Sequence, residues 1–72
     1  MEKADLVRMA NQIALYFEAY GHEEAVAGIA GHLRNFWDPR MRSQLVAIVG
    51  QEPELVHELV REAVSRLEGA EA

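Results

Sequence analysis

Apolar residues return every three or four positions through nearly the whole chain, and that period suits one kind of element. Leu6, Met9, Ala10, Ile13, Phe17 and Tyr20 stand at helical spacing over residues 3–20. Val26, Ile29, Ala30, Leu33 and Phe36 repeat the pattern over 23–36. Met41, Leu45, Ile48 and Val49 make a third face, and Leu55, Val56, Leu59, Val60, Ala63, Val64 and Leu67 a fourth. There is no Thr, no run of period two and no hairpin-type turn signal, so strands are not expected. The pattern predicts an all-α protein, a small bundle of three to four short helices. Residues 1–68 form its single helical domain, and a polar, frayed tail occupies 69–72.

Local signals place the boundaries. Gly21 can end the first helix in the left-handed conformation. Glu23 and Glu24 then suit the positive end of the second helix. Gly28 and Gly31, with Ala27 and Ala30, give that helix a small-residue face that another helix can approach closely. Asp38 is a good N-cap and Pro39 suits the first helical position, where its missing N–H would be unpaired in any case. Gly50 reads as a stop. Pro53 opens a fourth helix, with Glu52 biased away from helical geometry.

Size then limits how the bundle is held. At 72 residues the chain lies where one core rarely supplies more than about 3–5 kcal/mol. It has no Cys, so disulfides and thiolate metal sites are excluded. Ideal helix packing, a partner, or both must stabilise it. The fourth helix carries an apolar face of about 180°, against a usual stripe of about 100°, and the third is similarly broad. That surplus suits burial against another chain, or a helix wedged between two others of its own bundle. No apolar run approaches the roughly 20 residues of a membrane span. The charged N-terminus lacks a signal-peptide core. The expectation is a soluble, cytoplasmic protein.

The net charge of −5 disfavours nucleic acid as a partner. The charge is uneven: residues 32–43 carry a net +2, while both flanks are acidic. That basic stretch, "FWDPRMR", holds the only Trp. As a helix corner it explains itself in part: Phe36 and Trp37 plug the core, Asp38 caps and Pro39 starts the next helix. The arginines remain. A hydrophobic staple would pair Trp37 with an apolar residue at the position of Arg42. Arg42 can lie on the indole face instead. Arg40 and Arg42 also sit at the positive end of a helix dipole, which disfavours cations, so a carboxylate or a phosphate-bearing group should face them. Trp and Arg are the residue types most enriched at interface hot spots. Trp37, Arg40 and Arg42 are therefore the candidate partner-binding residues, with Phe36, Asp38 and Pro39 as structural support.

Catalytic signals are absent. Ser43 and Ser65 lie in no nucleophile elbow, and His22, His32 and His57 are scattered, with His22 in a loop and His32 partly buried in a helix. Glu54 and His57 give one Glu-x-x-His element where a di-iron bundle uses two. Glu54, Glu58, Arg61 and Glu62 read as a solvated face. "GIAG" follows no strand and fails the context of a nucleotide loop. No catalytic, cofactor-binding or metal residue is assigned.

"LVRMANQIALYF" at 6–17 and "GIAGHLRNFWDPRMR" at 28–42 resemble the delta subunit of soluble, NAD-dependent molybdenum or tungsten formate dehydrogenases. The likeness covers about the first 45 residues. It implies a non-catalytic accessory subunit that docks on the catalytic (alpha) subunit and supports assembly, cofactor insertion or stability. Partner subunits would carry a molybdopterin-type cofactor, iron–sulfur clusters, FMN and NAD. A homo-oligomeric helical interaction module is an alternative, and a chaperone binding the molybdopterin-type cofactor directly is another.

Overall fold

A computed structural model of the protein describes the backbone of residues 1–71 and the side chains of residues 1–68. The expected tail at 69–72 lies outside the fully described residues. Four helices follow one another: α1 (Lys3–Phe17), α2 (His22–Phe36), α3 (Pro39–Gln51) and α4 (Glu58–Glu71), with one 3-10 turn at Pro53–Leu55. No strand occurs among the described residues. The all-α expectation holds.

Several boundaries differ from those read off the sequence. α1 ends at Phe17, and Tyr20 N–H closes a turn onto the Phe17 carbonyl at 3.0 Å. Gly21 is extended, with φ −60° and ψ 157°, and leads into α2 as its N-cap. No described residue has a positive φ, so neither Gly21 nor Gly50 is a left-handed stop. His22 is the first residue of α2, not a loop residue. Gly50 lies inside α3, and the halt comes at Glu52 (φ −137°, ψ 61°), displaced from helical geometry by the following Pro53.

Pro53 opens only a single turn, and Val56 is extended before α4 begins at Glu58. The reason lies on α1. Asn11 donates through Nδ2 to the Leu55 carbonyl at 3.0 Å and accepts the His57 N–H through Oδ1 at 2.9 Å. Both arms of one amide thus satisfy backbone that a helix through 53–57 would have paired with itself. His57 Nδ1 then accepts the Leu59 N–H at 3.0 Å and caps α4.

α2 lies at the centre, packed on α4 and α1. Leu6, Val26, Ile29, Leu33, Leu45, Val60 and Val64 are the largest fully buried side chains. Leu59, Val60, Ala63, Val64 and Leu67 of α4 are all buried within the chain. The broad face of α4 is therefore wedged among its own neighbours and needs no second chain. Gly28 does serve a close approach, but of the Phe17 ring: a Cβ there would lie 2.5 Å from it. Polar pairs tie the start and body of α4 to the α1–α2 corner: hydrogen-bond contacts of His57 with Glu18 at 3.1 Å and of His22 with Glu62 at 2.6 Å, and an ion pair of Arg66 with Glu23. These are exposed pairs, each worth at most about 1 kcal/mol.

Candidate functional site

The "FWDPRMR" corner joins α2 to α3, and the structure reverses the expected places of its two aromatics. α2 stops at Phe36, and Trp37 takes an extended conformation (φ −97°, ψ 136°) while its N–H still bonds the Leu33 carbonyl at 3.1 Å. The change of backbone direction turns the indole inward, where it is 5% exposed. Phe36, expected in the core, is 74% exposed. Asp38 and Pro39 act as read: Asp38 Oδ1 accepts the Met41 N–H at 2.9 Å, and Pro39 is the first residue of α3.

Arg42 answers what a cation faces at a helix start. Its guanidinium reaches back to α2 and donates to the Arg34 and Trp37 carbonyls at 2.9 Å each, with Leu33 O at 3.4 Å. Those carbonyls end α2, where the dipole is negative and a cation is favoured. Arg42 thus closes the end of α2 with no foreign carboxylate or phosphate, and it meets the Trp37 carbonyl, not the indole face. Arg40 is exposed and forms no hydrogen bond or ion pair among the described residues. Two positions apart on one helix, Arg40 and Arg42 do not face the same way. They make no joint anion site.

The apolar surface left open lies elsewhere, in a groove of about 650 Å³ between α1 and α2. Half-buried Met9, Ile13 and Phe17, with buried Trp37, make its floor. Tyr16 (68% exposed) and Gln12 form the α1 rim, and Phe36 with His32 the α2 rim. Tyr16 packs edge-on against Phe17, with centroids 5.0 Å apart. Phe36 lies over the His32 ring at 4.9 Å and 35°. Sequence reasoning missed this site. Its signal was present on α1, where Tyr16 joins Met9 and Ile13 at helical spacing and widens the apolar face beyond the fully buried Leu6, Ala10 and Ala14.

A smaller cleft of about 330 Å³ lies between α3 and α4, lined by Leu33, Leu45, Val46, Val64 and Leu67, with Arg42 and Glu68 as its charged groups. Among the described residues no three His, Asp or Glu side chains come together to hold a metal ion. With no Cys in the chain, no thiolate is available to hold an iron–sulfur cluster. No helix among the described residues is long and apolar enough to cross a membrane.

Fold and site together define a small all-helical protein whose core is closed and whose open feature is an aromatic-rimmed groove. The chain belongs to the family described as NADH-dependant formate dehydrogenase delta subunit FdsD, which matches it over residues 5–64. The resemblance carried by residues 6–17 and 28–42 therefore extends through α3 into α4. No curated protein and no solved structure matches the chain.

Proposed function

We propose that the chain is a non-catalytic accessory subunit that docks on the catalytic subunit of a formate dehydrogenase through the α1–α2 groove. There it supports assembly, cofactor insertion or stability of that subunit. The observation that carries this reading is the groove. Phe36 and Tyr16 are exposed beside a core that is already complete, and a large ordered apolar patch on a small protein marks an interaction surface. On this reading the aromatic contact expected of Trp37 passes to its neighbour Phe36. Trp37 and Arg42 hold the corner from within, and Arg40 stays on the outer surface. The molybdopterin-type cofactor, iron–sulfur clusters, FMN and NAD site belong to partner subunits, and the assembly is cytoplasmic.

The test is co-expression of the tagged chain with the other subunits, followed by affinity capture and assay of the captured enzyme. The catalytic subunit should be retained, and enzyme made without the chain should contain less inserted cofactor and less activity. Absence of the catalytic subunit from the captured material, with full activity in the enzyme lacking the chain, would refute the proposal.

A further inference from the structure

We infer that the occupant of the α1–α2 groove is a helix of the catalytic subunit presenting about two turns of large, uncharged apolar side chains. This rests on the docking reading above and names the chemistry that fills the site. No residue lining the groove carries a fixed charge: Met9, Ile13, Tyr16, Phe17, Phe36 and Trp37 supply nearly all of it, with Gln12 and His32 as its polar groups. A charged side chain pressed into that lining would lose water and find no counter-charge. The charges close by on α1 are already matched, Asp5 with Arg8 at 3.1 Å. The exposed acids Glu24, Glu54 and Glu58 do not line it, and neither does Arg40. In a chain of net charge −5, this is a face suited to an uncharged partner surface.

The form of the groove argues for a helix. α1 and α2 are consecutive helices joined by a short connection, and the trough between two such neighbours seats a third by ridges into grooves. The α1 wall runs from Met9 to Tyr16, about 10 Å at the usual helical rise of about 1.5 Å per residue. That length matches two turns of a facing helix, read as anchors at i, i+3 or i+4, and i+7. The two rim aromatics are already placed, Tyr16 by Phe17 and Tyr20 and Phe36 by His32.

The experiment uses the co-expressed complex and captures the tagged chain as wild type, Phe36→Glu, Tyr16→Glu, Phe36→Leu and Arg40→Glu. Each is washed at low salt and at about 1 M salt, where charge interactions are screened beyond about 3 Å. Phe36→Glu and Tyr16→Glu should each lower retention of the catalytic subunit at least about tenfold, as for central aromatic anchors. Phe36→Leu and Arg40→Glu should retain most of it, and the wild type should survive the high-salt wash. Helicity of Phe36→Glu should match the wild type, because the replaced ring is exposed, and its melting temperature should fall only by the small cost of an anion at the end of α2. Retention by Phe36→Glu equal to wild type, or loss of the wild-type complex at high salt, would overturn the inference and take the groove out of the docking reading, while capture of the catalytic subunit by the wild type would still uphold docking by another surface. No retention of the wild type at all would overturn the docking reading itself. A free wild-type chain sedimenting at twice 8.1 kDa, with monomeric Phe36→Glu retained as well as wild type, would assign the groove to a second copy of this chain.

Discussion

Replacing Arg42 with Met should unfold the protein earlier without touching its exposed surface. The substitution keeps an unbranched apolar stem and removes only the guanidinium. That group makes two bonds of 2.9 Å to the Arg34 and Trp37 carbonyls and a longer one to Leu33. Hydrogen bonds to a charged group contribute about 1.5–3 kcal/mol net. A cation at a helix C-terminus adds about 0.3–1 kcal/mol. The site is only part-buried, so water can reach the freed carbonyls, and removing a cation from the start of α3 returns about 0.3 kcal/mol. The net expectation is a loss of about 2 kcal/mol. For a domain of this size, that lowers the melting temperature by about 8–16 °C. Arg42→Lys keeps the charge but shortens the reach to the α2 carbonyls, and should fall about halfway. Arg40→Ala is the control and should stay within about 0.5 kcal/mol of wild type. Melting followed by far-UV circular dichroism reads all three. Arg42→Met melting within about 2 °C of wild type, or no lower than Arg40→Ala, would refute the capping role.

Gly28→Ala should destabilise by about 1 kcal/mol in denaturant titration, because displacing the Phe17 ring outweighs the gain in helix propensity of about 1 kcal/mol. Gly31→Ala, with open space around its Cβ, should instead stabilise by about 0.5–1 kcal/mol; equal signs for the two would refute the packing argument. Asn11→Leu strands the His57 N–H and the Leu55 carbonyl and should cost about 2 kcal/mol, with faster hydrogen exchange at the His57 amide. The His57 ring should carry a proton on Nε2, which faces Glu18, and leave Nδ1 to accept from Leu59; nitrogen-15 chemical shifts of the ring tell the two nitrogens apart.

The helices and most of the core were legible because each face repeats at the helical period over several turns. What escaped was decided at helix ends or by residues distant in sequence. Phe36 and Trp37 both lie near the core edge when counted at about 100° per residue. Only the break in α2 after Phe36 sends the second inward and leaves the first outside. Pro53 marks a start, but the start is a single turn, because Asn11, more than forty residues earlier, takes the backbone groups that would have extended it. Arg42 is misplaced only if its own helix is its whole electrostatic surroundings. The relevant dipole is that of α2, reached across the corner. The width of their faces points to surplus apolar surface on α3 and α4, yet the apolar residues of α4 are buried and the larger open apolar groove lies between α1 and α2. Width of an apolar face counts the neighbours a helix needs. It does not say which chain supplies them.

That distinction bears on what the groove is for. A small chain can expose apolar surface because its core is unfinished, and a partner then completes the fold. Here the core runs from Leu6 through the α2 and α3 residues to Leu67, and no polar or charged residue among those described is buried in it. No described buried side-chain nitrogen or oxygen lacks a hydrogen-bond partner. Trp37 plugs the α2–α3 corner and Arg42 satisfies the carbonyls there, so the end nearest Phe36 is closed by the chain itself. Phe36 and Tyr16 stand outside that closed core, on helices already fixed by their buried sides. An unfinished core would leave floor residues with nothing beneath them, whereas here Phe17 is seated against Gly28 and Trp37 is part of the buried cluster. The exposed rings are therefore additional to the fold, and removing either should weaken association while the helices remain.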